Sequence, residues 1–117
     1  RAEAVRHAEV YRGSFAISVC PSENVESPTI VGAQAANELL NIIGIKASFV
    51  LTEYNDKIYI SSRSIDEINV QIIMEKLGGG GHLNVAGAQL TGVTIVQAKR
   101  MIQDTLDEML KEGDIEE

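Results

Sequence analysis

Apolar and polar residues alternate in some stretches of the chain, and in others the apolar residues recur every three or four positions. Alternation is typical of β-strands, and the longer spacing is typical of α-helices. The pattern predicts strands at 14–20, 45–54, 57–63 and 86–90, the first with the alternation of a half-buried strand, and helices at 1–12, 28–43, 70–77 and 95–112. The start of the third helix falls between residues 66 and 69. We therefore predict one α+β domain in which a mixed, mostly antiparallel sheet is covered by helices.

Cap and turn residues support several of these boundaries. Ser27 before Pro28 is a favourable helix start, because serine caps free amides and proline lacks the amide hydrogen that would stay unpaired there. Thr94 and Gln97 have the spacing of a capping box at the start of the last helix. Asn55-Asp56 tolerates the left-handed backbone of a hairpin turn, so we predict that the second and third strands pair.

The net charge of −7 argues against a polyanionic partner, but the charge is unevenly distributed. Seven acidic residues and one lysine lie between Asp104 and Glu117, which leaves ten acidic and nine basic residues in the rest of the chain. A nearly neutral body can bind a small phosphorylated ligand, whereas it is poorly suited to a long duplex.

Cysteine content and chain ends set further expectations. Cys20 is the only cysteine, which excludes an internal disulfide and a zinc site built from several thiolates, and we expect it to be a buried structural thiol. The chain opens on Arg1 within a helical pattern, so we expect it to be a segment of a longer protein. We predict an interdomain connector helix ending in 1–13, a ligand-binding domain at 14–112 and a frayed acidic tail at 113–117.

Four consecutive glycines followed by a histidine form the most unusual segment of the chain, Gly78 to His82. A helix end and a flexible turn would account for one glycine, yet each glycine loses much backbone freedom on folding. Close approach of a ligand to the main chain, with successive amides forming an anion site, would account for the others. His82 would add a hydrogen-bond donor, although a lone histidine is more often structural.

A second candidate for ligand contact is Arg63, at the end of the third predicted strand. The alternation places it on one face with Tyr59 and Ser61. An arginine fork beside serine hydroxyls is suited to phosphate, whereas the simpler alternative is a solvated charge on an edge strand. His7 and His82 are the only histidines, and no nucleophile–base set is evident. We therefore expect no catalytic residue and no metal ligand in this chain.

The glycine segment resembles a known signature. Residues 78–87, Gly-Gly-Gly-Gly-His-Leu-Asn-Val-Ala-Gly, are similar to the Gly-Gly-Gly-His-x-x-Ala-Ala-Gly motif of the DHH-associated C-terminal domain of DHH phosphoesterases. Residues 61–87 resemble in particular the GdpP type of cyclic-di-AMP phosphodiesterase, and the similarity extends from Phe15 to Leu110. Val85 departs from the motif, where alanine is usual, which we expect to alter packing behind the loop.

The resemblance implies that catalysis and substrate binding lie in different domains of one protein. A DHH domain elsewhere in the same protein would bind two Mn²⁺ ions and open cyclic-di-AMP to the linear dinucleotide, and this chain alone would be inactive and need no cofactor. It would bind the cyclic dinucleotide, or a short oligonucleotide, through Ser61, Arg63, Gly79, Gly80, Gly81 and His82. The parent would be anchored in a bacterial membrane, with this domain cytoplasmic and not touching the bilayer. Asn69 would serve as a helix cap or read a base.

Two other classes of function stay open at this point. One is a general RNA or single-strand binding module, for which aromatic residues, 4% of the chain, provide few stacking platforms. The other is a dimerisation domain, in which a sheet edge or the last amphipathic helix forms a homodimer. Dimerisation is compatible with substrate binding.

Overall fold

A computed structural model describes residues 2–21, 27–65 and 67–117, with the side chains described from residue 4. One sheet of six strands has the order β1-β2-β3-β4-β6-β5, and only the β2–β3 pair is parallel. The elements in chain order are α1 (Ala2–Arg6), β1 (Glu9–Tyr11), β2 (Phe15–Cys20), α2 (Pro28–Leu39), β3 (Ala47–Tyr54), β4 (Lys57–Ser64), α3 (Val70–Lys76), β5 (Gly80–Gly81), β6 (Val85–Thr91) and α4 (Ile95–Glu112). The predicted α+β class with a mixed, mostly antiparallel sheet is confirmed.

Helices cover both faces of the sheet. On one face α3 and α4 enclose the larger core, around residues such as Phe49, Met74 and Leu106. On the other face α1 and α2 enclose a smaller core that includes Ala36 and Val50. The strand predicted at 14–20 is consequently not half-buried, because its successive side chains lie alternately in the larger and the smaller core. Cys20 is buried in the smaller core, as expected.

The predicted caps and hairpin are confirmed. The Ser27 side chain accepts a hydrogen bond from the amide of Ile30 at the start of α2. Thr94 and Gln97 form a reciprocal capping box at the start of α4. Asn55 and Asp56 adopt φ values of 51° and 63°. This is the left-handed backbone that a two-residue hairpin turn requires.

The sequence pattern was wrong in three places. The helix predicted over 1–12 ends at Arg6, because Glu9–Tyr11 pairs with β2 and tertiary pairing outweighs the helical spacing. The helix predicted to reach 43 ends at Leu39, and Ile43 is fully exposed. Within 113–117, Ile115 is buried against the larger core, so this part of the acidic tail is packed. None of the described helices is both long and apolar enough to cross a bilayer.

A polar cluster joins β1 to α4. The Tyr11 hydroxyl donates to Oδ1 of Asp107 over 2.7 Å, and Nε of Arg12 donates to the same oxygen over 2.6 Å. The tyrosine hydrogen bond, followed by the arginine, lowers the pKa of Asp107 below its usual range. Because the pKa of Asp107 is lowered in the folded state, its ionised carboxylate stabilises the fold at pH values above the ordinary pKa of a carboxyl group. That stability is lost as the pH falls through the lowered pKa.

Asp107→Asn is therefore expected to lower stability at neutral pH by less than about 1 kcal/mol, since the pair is partly exposed and screened. The variant should also lose less stability than the wild type on acidification. Urea unfolding at neutral pH and below about pH 4 measures both effects. Asp104→Asn, on an exposed part of the same helix, is the control. Equal acid sensitivity in Asp107→Asn and the wild type would contradict the assignment.

Candidate functional site

A cleft of about 780 Å³ lies on the sheet face that carries α2, over β4, β6 and β5. Helix α2 packs on β2, β3 and β4, so the face of the sheet beyond β4 stays open. A volume of this size lies within the usual range for small-molecule sites. The residues that line the cleft are Thr29, Tyr59, Ile60, Ser61, Arg63, Gly78, Gly79, Gly80, Gly81, His82, Val85, Ala86, Gly87, Ala88 and Gln89. All six predicted site residues are among them.

Strand register arranges the cleft in three rows. At one end Arg63 pairs with Val85, next to His82. At the other end Tyr59 pairs with Gln89. Because side chains alternate across a strand, residues two positions apart share a face.

The middle row is nearly free of side chains. Ser61 pairs with Gly87, which in turn pairs with Gly80 of β5. Ser61 is only 8% exposed, and Gly32 of α2 lies so close that a Cβ there would be 2.8 Å from Oγ of Ser61. Two glycines and a buried serine therefore make a low floor between the two ends of the cleft, with α2 as its wall.

Arg63 supplies the positive charge at one end of the cleft. Its side chain is half-buried, and Nη1 donates to the carbonyl of Ser62 over 2.8 Å. Burial lowers the pKa of Arg63 from its ordinary value, yet a guanidinium stays charged at neutral pH. Among the described side chains, no carboxylate forms an ion pair with it. The remaining donors of the guanidinium are therefore available to an anionic ligand.

Beyond the helix end expected at Gly78, most of the glycine run has a different explanation from the one that the sequence suggested. Gly78 has φ +85°, which is the left-handed backbone that ends α3. A Cβ at Gly79 would lie 2.1 Å from the carbonyl oxygen of Gly87, and one at Gly81 would lie 2.5 Å from that of Val85. The fold itself thus requires three of the four glycines. Gly80 is the one glycine of the four that has neither a left-handed φ nor an atom within 4 Å of its Cβ position, and it lines the cleft.

The predicted row of free amides does not form at most of this segment. The amide of Gly78 donates to the carbonyl of Glu75, and that of Gly79 donates to Met74, so both cap the C-terminal end of α3. The amide of His82 donates to the carbonyl of Val85 over 2.7 Å. These amides stabilise a helix end and a hairpin, so these three are not available to a ligand.

His82 and Asn84 flank the tight turn between β5 and β6. The His82 side chain is exposed on the cleft, whereas its backbone exchanges two hydrogen bonds with Val85. Asn84 donates from Nδ2 to the Ser64 hydroxyl, which ties this turn to the end of β4. Asn69, which the sequence left between two roles, accepts from two amides at the start of α3 and is a helix cap.

Among the lining residues with polar side chains, the sequence reasoning missed three, Thr29, Tyr59 and Gln89. Tyr59 was placed on the correct face but not in the site. The strand predicted at 86–90 was not assigned a pairing partner or a register. The period of two within β6, once paired with β4, is the signal that identifies Gln89. Within the three described ranges, no group of three or more His, Cys, Asp and Glu side chains could hold a metal ion, so Mn²⁺ does not fit the residues described.

The comparisons with known proteins agree with one another. Residues 13–112 match the DHHA1 domain family. The chain is 45% identical over 108 residues to the cyclic-di-AMP phosphodiesterase PdeA of Listeria monocytogenes, which covers 92% of this chain and 16% of that protein. It is 37% identical over 115 residues to the cyclic-di-AMP phosphodiesterase GdpP of Bacillus subtilis, covering 97% of this chain and 18% of that protein.

The fold is also found in a solved structure, an exopolyphosphatase-related protein from Bacteroides fragilis. The TM-score is 0.80 at 22% identity, over 92% of this chain and 33% of that one. The chain therefore spans less than a fifth of the two curated relatives and a third of the structural neighbour. From the match over residues 13–112 and the relatives at 37–45% identity, the chain belongs to the DHHA1 domain family.

Proposed function

We propose that this chain is the substrate-binding domain of a DHH-family phosphodiesterase that opens cyclic-di-AMP to the linear dinucleotide. In this proposal the hydrolysis takes place on a DHH domain of the same protein, outside this sequence, where Mn²⁺ is bound. The cleft over β4, β6 and β5 binds the dinucleotide and presents one phosphodiester to that domain. The parent is anchored in a bacterial membrane with this domain on the cytoplasmic side.

Arg63 is the observation that carries the proposal. A half-buried guanidinium without a described carboxylate partner lies beside a glycine floor, in a cleft of about 780 Å³. Guanidinium binds phosphate through two parallel, charge-assisted hydrogen bonds, which are roughly twice as strong as neutral ones. Ser61 adds a hydroxyl from the cleft floor, and His82 adds an imidazole from the β5–β6 turn on the same side.

The relatives support the choice of substrate. PdeA and GdpP are both named as cyclic-di-AMP phosphodiesterases, and this chain is similar to them over nearly its whole length. The charge distribution supports a compact ligand, because the acidic excess lies on α4 and the tail, which pack on the opposite face of the sheet. A ligand on the cleft face therefore does not lie against the most acidic helix.

In this proposal the metal ligands belong to the DHH domain, and this chain contributes binding and orientation. Ser61, Arg63 and His82 would fix the position of one phosphate relative to the DHH domain. Holding a phosphodiester in place lowers the entropic part of the barrier to its hydrolysis. Loss of any one contact is therefore expected to lower turnover as well as affinity.

Arg63→Ala in the full-length protein is expected to lower kcat/KM for cyclic-di-AMP about ten- to a hundredfold, the loss of one charge-assisted contact. Arg63→Lys should retain part of the activity, because an ammonium keeps the charge but not the fork. Arg100→Ala is the matched control, since Arg100 is exposed on α4 and pairs only with Asp104 among the described residues. Steady-state hydrolysis with Mn²⁺ measures all three.

If Arg63→Ala had the kcat/KM of the wild type, Arg63 would not be a substrate-binding residue. Tight, strongly salt-dependent binding of long RNA or single-stranded DNA, with no competition from cyclic-di-AMP, would favour a general nucleic-acid binding module instead. A melting curve for each variant shows whether it is folded.

A further inference from the structure

We propose that Tyr59 and Gln89, at the end of the cleft opposite Arg63, bind one base of the dinucleotide and select adenine over guanine. The inference rests on the proposed function, because it assigns the base subsite of the same cleft. Neither residue belongs to the glycine signature.

The register places the two side chains together. Tyr59 and Gln89 are direct cross-strand partners on β4 and β6, and both line the cleft. Tyr59 is partly exposed and Gln89 is exposed. Among the described residues, neither the tyrosine hydroxyl nor the glutamine amide has a hydrogen-bond partner. Their polar groups are therefore available to a ligand.

The distance to Arg63 suits a nucleotide. Tyr59 and Arg63 are four residues apart on one strand. At the usual rise of a β-strand, four residues span roughly 13 Å. That separation is comparable to the length of a mononucleotide from its phosphate to the far edge of its base. The floor between them consists of Ser61, Gly87 and Gly80, which leaves room for the sugar. A nucleotide whose phosphate is bound by Arg63 would therefore place its base near Tyr59.

The chemistry of the pair favours adenine. An aromatic ring provides a surface on which a base can stack, and stacking is tolerant of base identity. A glutamine amide offers one donor and one acceptor side by side. Adenine presents the complementary pair, an N7 acceptor and an N6 amino donor, whereas guanine presents two acceptors, N7 and O6, at the same edge. Tyr59 would therefore supply affinity and Gln89 would supply selectivity.

The test compares kcat/KM for cyclic-di-AMP with kcat/KM for cyclic-di-GMP in the full-length protein. The wild type should prefer the adenine substrate. Gln89→Ala is expected to reduce that preference about tenfold, by lowering the value for cyclic-di-AMP and not that for cyclic-di-GMP. Tyr59→Leu should lower both values, and Tyr59→Phe should retain them. Gln103→Ala is the matched control, because Gln103 lies on α4, on the other side of the sheet.

An unchanged preference in Gln89→Ala would overturn the proposal, as would an equal loss for both substrates or a wild type that does not distinguish them. Arg63→Ala separates this inference from the proposed function. If Arg63→Ala lowers kcat/KM for both substrates while Gln89→Ala changes neither value, the phosphate site is supported and the base site is wrong. If Arg63→Ala has no effect, the proposed substrate site itself is wrong, and the base assignment falls with it. Gln89 is exposed, so its variants are expected to fold, and melting temperatures check this.

Discussion

Gly79→Ala is expected to destabilise the domain by about 3 kcal/mol or more, the upper end of what overpacking causes. A Cβ at this position would lie 2.1 Å from the carbonyl oxygen of Gly87 and 2.7 Å from Cα of Ala88. Both atoms belong to the backbone of β6, which is itself paired with β4 and cannot move aside without breaking the sheet. A domain of this size has only about 5–15 kcal/mol of stability, so a large part of it would be lost.

Gly80→Ala is the matched control for this prediction. It changes the next glycine in the same way, but a Cβ there meets nothing within 4 Å. Its stability is expected to equal that of the wild type within about 0.5 kcal/mol. Urea unfolding followed by circular dichroism compares the three proteins. If Gly79→Ala were as stable as Gly80→Ala, the close approach of the α3–β5 turn to β6 would be wrong.

The glycine run shows where sequence reasoning succeeds and where it ends. The run correctly indicated that a Cβ would collide at some of its positions, which are Gly79 and Gly81. Its cause could not be derived, because the colliding atoms of Gly87 and Ala88 are close in space only after β5 pairs with β6. The sequence interpretation attributed one glycine to the helix end and the other three to a ligand, whereas the chain's own backbone accounts for Gly79 and Gly81 as well as Gly78.

Local signals predicted the rest of the fold well, and long-range pairing accounts for the errors. Ser27, Asn55-Asp56 and the Thr94–Gln97 box each act within a few residues, and each was predicted correctly. The strand Glu9–Tyr11 depends on pairing with β2 and on contacts of Tyr11 with Asp107. Neither contact leaves a trace in local periodicity, so the segment was predicted as helix.

The candidate site shows the same division. Arg63 and Ser61 could be assigned to one face from the period of two within a single strand. Gln89 could not, because its place opposite Tyr59 depends on the register between β4 and β6. The open face itself results from the position of α2, which covers β4 and stops short of β6. No pattern in the sequence indicates how far across a sheet a helix reaches.

Gly80→Val is expected to lower kcat/KM for cyclic-di-AMP by at least about a hundredfold, or about 3 kcal/mol of transition-state binding, without a loss of stability. At Gly80 a Cβ would meet nothing within 4 Å and the backbone is not left-handed, and this glycine lies in the middle row of the cleft with Gly87 and Ser61. A branched side chain there would occupy the space proposed for the sugar, between the phosphate at Arg63 and the base at Tyr59.

The expected result is a folded enzyme with strongly reduced activity, which separates this variant from Gly79→Ala. Gly80→Ala should fall between Gly80→Val and the wild type in activity, because one methyl group fills less of the floor. Hydrolysis rates and melting temperatures are measured for the wild type and both variants of the full-length enzyme. Wild-type turnover by a normally folded Gly80→Val would mean that no ligand passes over the glycine floor. Since strands favour valine over glycine, β5 is expected to stay paired, and an unchanged melting temperature would assign the loss of activity to the filled floor.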